Sequence, residues 1–204
     1  MTRNKIFTEI IGTFFLTLVV AFTASPFAIG AVLVALVYAG GHISGAHYNP
    51  SVSLAQFITK RITAKELFFY CLSQLVGAIM AVVAFALIIG SSFTLSPNPQ
   101  ATNLQLFMSE IIFTFLLAYV VLSVTTKIVK NNQYFGLAIG LVIMAGVFSA
   151  GGISGAALNP AITISAIAVD TTNISSALSS LGIFLSAQLG AGILAGVAAK
   201  FQKL

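Results

Sequence analysis

Residues 41–51 read Gly41-His42-Ile43-Ser44-Gly45-Ala46-His47-Tyr48-Asn49-Pro50-Ser51, and residues 151–161 read Gly151-Gly152-Ile153-Ser154-Gly155-Ala156-Ala157-Leu158-Asn159-Pro160-Ala161. At an offset of 110, seven of the eleven positions are identical. The repetition extends outward. Glu9-Ile10-Ile11 with Thr13-Phe14 matches Glu110-Ile111-Ile112 with Thr114-Phe115, and Gln74-Leu75 near Gly77 resembles Gln188-Leu189 near Gly190. The matches keep their order in each half, which coincidence in a biased composition does not explain. The chain reads as one domain, 1–204, made of two repeats over about 1–97 and 98–204.

The surroundings of these motifs are those of a membrane protein. Of 204 residues, 58% are apolar and 6% charged, against about 25% charged in ordinary soluble domains. Mean hydropathy is +1.06. Net charge is +5, but nine basic residues scattered among apolar runs make no phosphate-tracking patch, which excludes nucleic acid as a partner. One cysteine, Cys71, forms no intrachain disulfide and no cysteine zinc site. Two histidines and four acids leave little for hydrolytic or metal chemistry, so no metal is expected.

A transmembrane helix takes about 20 apolar residues. Runs over 6–24, 27–40, 66–90, 104–126, 134–150 and 176–199 predict six spans, the second and fifth short and ending in glycine-rich, irregular loops. The first is read as a retained helix, because Glu9 interrupts its apolar core and no A-x-A site follows Ala21. With six spans, Arg3, Lys5, Lys60, Arg61, Lys65, Lys127, Lys130, Lys200 and Lys203 all fall on one side, and Asp170 falls on the other. The positive-inside rule makes both termini cytoplasmic.

Three spans per half is an odd number, so the halves run in opposite directions. Such inverted repeats form their sites near the midplane. After each Asn-Pro come about ten residues, roughly half of a hydrocarbon core when helical. Asn is a favoured N-cap and Pro a favoured first residue, so each motif predicts a re-entrant half-helix. The fold class is therefore an all-α membrane protein with six transmembrane helices, two re-entrant half-helices and an inverted repeat. Two positive helix ends meet in the middle. Asn49 and Asn159 are expected to project two N–H donors each into the gap, with the carbonyls of Gly45, Ala46, His47 and Tyr48 and of Gly155, Ala156, Ala157 and Leu158 as acceptors. Lys60 and Arg61 suit the negative end of the first half-helix.

The paired motifs, together with Glu9 and Glu110, resemble the major intrinsic protein family, the aquaporins and their relatives, over nearly the whole chain. The resemblance implies a homotetramer with a pore in each protomer, passive movement of water or small neutral solutes, and no cofactor. It assigns Asn49, Pro50, Ser51, Asn159, Pro160 and Ala161 to the pore motifs. The first motif ends in Ser51 rather than the usual alanine. Counting from the motifs places the selectivity constriction at Ile29, Val147, Ala156 and Ile162, where the usual aromatic, histidine and arginine are all missing. An apolar ring can relax selectivity towards ammonia, urea or hydrogen peroxide, or dewet and restrict water. Thr163 stands where glycerol-conducting members usually carry aspartate, which makes glycerol a weaker substrate.

Glu9 and Glu110 have two readings: proton or ion handling, or acceptors for the backbone N–H groups of the irregular loops; the second is favoured. His47 could line the inner half of the path and respond to pH, or be a hydrogen-bonded loop histidine. Gly136 with Gly140, and Gly192 with Gly196, read as close helix crossings. Competing classes are an inverted-repeat secondary transporter, a membrane enzyme and a structural junction protein. The sequence lacks targeting extensions, which favours a bacterial or archaeal plasma membrane.

Overall fold

The computed structural model describes residues 2–126, 128, 132–169 and 174–204. Its helices are α1 Arg3–Phe22, α2 Pro26–Ser44, α3 Pro50–Ile58, α4 Ala64–Ile89, α5 Asn103–Val124, α6 Phe135–Ser154, α7 Pro160–Val169 and α8 Ile174–Phe201. Six of them (α1, α2, α4, α5, α6 and α8) are long and apolar enough to cross a membrane. α3 and α7, with 9 and 10 residues, are too short to do so.

Two helices deviate from the sequence expectation. α2 continues to Ser44 and α6 to Ser154, so Gly41–Ser44 and Gly151–Ser154 are helical rather than irregular. A helical glycine costs only about 1 kcal/mol relative to alanine, and α2 recovers it in packing. The Tyr48 hydroxyl occupies the space that a Gly40 side chain would need. Only 45–49 and 155–159 are non-helical links between helix and half-helix.

α1 packs on α4 and α2, α5 packs on α8 and α6, and α2 meets α6 between the halves. The half-helices cross over: α3 lies against α8 and α7 against α4. Small residues make these approaches possible, as the glycine pairs predict. A Cβ on Gly140 would lie 2.6 Å from the Gly30 carbonyl oxygen, and one on Gly192 would lie 2.5 Å from that of Ser51. At Gly77 the distance to the Ile10 carbonyl oxygen would be 2.4 Å. Gly77→Ala is therefore expected to push α1 from α4 and cost about 1–3 kcal/mol. The denaturation midpoint of the solubilised protein reads this directly; an unchanged midpoint would mean that the α1–α4 spacing gives freely.

Large apolar side chains face outward. Phe7, Phe27, Phe68, Leu87 and Leu104 are mostly exposed, far more apolar surface than a protein in water carries. At one end of the bundle Lys5 pairs with Glu66 at 3.2 Å, and Tyr119 donates to Gln202 Oε1 at 2.7 Å. There Arg61 Nη1 donates to the Leu122 carbonyl at 3.1 Å and to Thr125 Oγ1 at 3.3 Å. The Arg61 side chain thus serves the C-terminus of α5, whose orphan carbonyls it reaches, while its backbone N–H donates to the Gln56 carbonyl of its own half-helix at 2.9 Å. Arg3, Lys5, Lys60, Arg61, Lys65, Lys200 and Lys203 all gather at this end. Lys127, Lys130 and Asp170 lie outside the described residues.

Candidate functional site

Asn49 and Asn159 cap the half-helices as the motifs predict. Asn49 Oδ1 accepts from Ser51 N at 2.9 Å, and Asn159 Oδ1 accepts from Ala161 N at 3.0 Å. Their amide nitrogens reach across the midline. Asn49 Nδ2 donates to the Leu158 carbonyl at 2.8 Å and Asn159 Nδ2 to the Tyr48 carbonyl at 2.9 Å. This corrects the expectation of two free donors per asparagine. One N–H of each ties the two loops together, and one is left for the gap. The Tyr48 and Leu158 carbonyls each accept one asparagine N–H.

The loops are held by the two intramembrane carboxylates. Glu9 accepts from Ser44 Oγ at 2.6 Å, His47 N at 3.0 Å, Tyr48 N at 2.8 Å and Gln74 Nε2 at 2.8 Å. Glu110 accepts from Ser154 Oγ at 2.6 Å, Ala157 N at 3.1 Å, Leu158 N at 2.9 Å and Gln188 Nε2 at 2.8 Å. Both are fully buried. Every hydrogen-bond partner of these carboxylates among the described residues is a donor, so each carboxylate is used as an acceptor for its loop. The bonds offset a strained backbone. After Gly45 and Gly155, Ala46, Tyr48, Ala156 and Leu158 all take positive φ, between 46° and 51°. Each such residue costs roughly 1–2 kcal/mol.

Four helpers went unassigned in the sequence: Ser44, Ser154, Gln74 and Gln188. They sit at matching places in the repeat, and that matching was the signal that could have found them.

Between the loops lies a cavity with about 30 Å3 accessible to the centre of a water molecule, room for about two waters. Ile29, Val147, Ala156 and Ile162 all line it, as do Asn49, Asn159, Ala46, His47 and Ala157. The remaining wall is aliphatic and comes from α1, α2, α3, α5 and α6, including Leu16, Leu33, Val52, Leu117 and Ile143. None of these five could be placed from sequence, which does not fix helix register. One vestibule of about 610 Å3 shares Ile29, Val147 and Ala156 with the cavity and also includes Gly155. The other, about 630 Å3, lies at the basic end; it shares His47 and Ile139 with the cavity and includes Gly45, His42 and Arg61. The three spaces lie in series.

Other predicted lining residues face away. The Tyr48 side chain is buried against Gly12 and Gly40, and its hydroxyl donates to the Leu36 carbonyl at 3.0 Å. Leu158 packs against Gly146. Pro50, Ser51, Pro160 and Ala161 are buried beside the cavity without lining it. Ser51 Oγ finds no partner among the described residues. Thr163 also turns away, bonded to Gln188. His47 does line the path and is hydrogen-bonded as well: Nδ1 lies 3.0 Å from Ser53 Oγ, and the ring leans on Tyr70 at a centroid distance of 4.5 Å. Tyr70 in turn donates to the Ser44 carbonyl.

The family model described as Major intrinsic protein matches residues 20–149 and 127–203. The chain belongs to this family. Major intrinsic proteins are membrane channels and not enzymes, and the chain is an integral membrane protein. Among relatives, Aquaporin NIP1-1 of Zea mays is 34% identical over 177 residues, covering 79% of this chain and 63% of the relative. Nodulin-26 of Glycine max is 34% identical over 174 residues, covering 78% and 64%. The chain thus spans less than two thirds of the length of these relatives. The structure of the aquaglyceroporin from Plasmodium falciparum aligns with TM-score 0.82 at 21% identity, over 96% of this chain and 94% of that one, and shows the same fold. The plant relatives take away the support for a bacterial or archaeal membrane.

Proposed function

We propose that this major intrinsic protein is a passive channel for water and small neutral solutes, with an apolar outer constriction formed by Ile29, Val147, Ala156 and Ile162. The observation that carries this reading is the small cavity in series between two vestibules, with one N–H each from Asn49 and Asn159 left for it. Fixed donors beside an aliphatic wall suit single-file passage of molecules that carry lone pairs. The two half-helix N-termini oppose cations. A coupled transporter needs charged or polar ligands at this depth; the one ionisable side chain on the cavity among the described residues is His47. Glycerol ranks below smaller solutes, since Thr163 is committed to Gln188 and offers it nothing.

The basic end, with both termini, faces the cytoplasm by the positive-inside rule. The cavity is complete within one chain, and the assembly is a homotetramer of such pores in the lipid bilayer. The tight aliphatic ring also favours a second reading, a channel mainly for ammonia, urea or hydrogen peroxide that passes little water, because apolar constrictions dewet. Stopped-flow light scattering on proteoliposomes separates the two. Fast water flux with a low activation energy is expected from the first, and solute flux with poor water flux from the second. Flux no faster than in empty vesicles for every solute would sink both.

A further inference from the structure

His47 is held by a chain of side chains that the second half does not reproduce. Gln74 Nε2 lies 2.8 Å from Glu9 Oε2 and 2.9 Å from Ser53 Oγ, and Ser53 Oγ lies 3.0 Å from His47 Nδ1. All four residues are buried. With its other contacts all donors, Glu9 is an acceptor here, so the Gln74 group that meets it is the NH2. The second hydrogen of that NH2 goes to Ser53 Oγ. The Ser53 hydroxyl proton then needs an acceptor of its own. Gln74 Oε1 is buried with no hydrogen-bond partner, so it does not serve. His47 Nδ1 is the acceptor within reach among the described residues. If Nδ1 carried the imidazole proton instead, it would donate to Ser53 Oγ and strand the hydroxyl proton in the interior. The cost of an orphaned buried donor disfavours that arrangement by about tenfold to a hundredfold.

We infer that Ser53, itself oriented by Gln74, fixes His47 in the tautomer that carries its proton on Nε2, so that the inner end of the path presents a permanent hydrogen-bond donor. Nε2 makes no hydrogen bond to the described protein, and His47 borders both the cavity and the basic vestibule. A molecule passing here must offer a lone pair. Water, ammonia and the urea carbonyl have one; ammonium has none.

The second half supplies the contrast. Ala157 stands in place of His47, and Thr163 Oγ1 both accepts from Gln188 Nε2 at 2.9 Å and donates to Gln188 Oε1 at 3.2 Å. Without an imidazole beside it, the hydroxyl turns its proton back to the amide. Ser53 and Gln74 are positioning residues; His47 is the group that meets the permeant. The tautomer stands on side-chain geometry, while its consequence for permeation rests on the channel reading.

The test uses the full chain labelled with 15N-histidine in lipid nanodiscs, above neutral pH. It carries His42→Gln at the exposed second histidine, so that the imidazole signal comes from His47 alone. The nitrogen spectrum is expected to show a single tautomer protonated on Nε2. Adding Ser53→Ala is expected to give a mixture, and Ser53→Thr to restore the single form. If the tautomers equalise, half the channels lose the donor, and urea flux in proteoliposomes falls about twofold. A parent spectrum with the proton on Nδ1 overturns the assignment even if Ser53→Ala does not fold. So does an unchanged tautomer in folded Ser53→Ala. If the spectra come out as expected and the parent conducts nothing, the channel reading and the permeation consequence fall while the tautomer assignment stands.

Discussion

Protein carrying Glu9→Leu or Glu110→Leu is expected not to be recovered folded. Each substitution strands four buried donors: a serine hydroxyl, two backbone N–H groups and a glutamine amide. At about 1–3 kcal/mol for each orphan, the loss reaches roughly 4–12 kcal/mol, comparable with the whole stability of a typical domain. The strained residues that these bonds hold, Ala46 and Tyr48 or Ala156 and Leu158, would relax and take the half-helix with them. Glutamine is a milder and more informative change. Its oxygen still accepts two bonds, but its NH2 points at two other donors, such as Tyr48 N and Gln74 Nε2 in the first half. Yield of monodisperse Glu9→Gln or Glu110→Gln protein on size exclusion is expected to fall severalfold, with a smaller change in flux per reconstituted channel. A variant that folds like the parent yet conducts nothing would restore the proton-handling role to these carboxylates.

The same residues show what was legible beforehand. The repeat around the two Asn-Pro motifs is local chemistry: caps, a proline at the first helical position, and a stretch too short to span. All of that is written in sequence order, and the half-helices follow from it. The glutamates were legible as loop acceptors because each half contains one. Their partners were not, because Gln74 and Gln188 reach the loops from the fourth and eighth helices, and helix-to-helix register is a packing outcome. The asparagine donors were overcounted for a related reason. Only the close meeting of the two loops reveals that the Leu158 and Tyr48 carbonyls take one N–H from each. The cavity wall was invisible for a further reason. Helices apolar on every side carry no pattern that separates a lipid face from an inner face. Phe15 is 46% exposed while its neighbour Leu16 is 5% exposed and lines the cavity. Ile29, Val147, Ala156 and Ile162 are placed by counting from the motifs, which carries the register with it, and all four line the cavity.

Ile162 carries the second large expectation. It is 2% exposed and lines a cavity that holds about 30 Å3 for water centres. An arginine there has no room to lie across the gap unobtrusively. Its guanidinium must either fill the space beside Ile29 and Val147 or reach outward to the vestibule that these two residues also border, where water relieves the cost of burying a charge. In both positions it obstructs the path and adds a positive charge. Ile162→Arg is therefore expected to lower urea and ammonia flux by about tenfold or more, which needs only about 1.4 kcal/mol of added barrier. Ile162→Ala works in the opposite sense. It removes apolar wall from the constriction and should raise urea flux, at a stability cost of about 2–5 kcal/mol if the site does not collapse. The two variants together guard against a folding artefact, because a merely damaged protein loses flux in both. Opposite shifts in the ratio of urea to water flux, measured on the same vesicles, would tie selectivity to this side chain. An unchanged ratio in both would show that the constriction lies elsewhere on the path, with the inner end at His47 and Ile139 the next place to look.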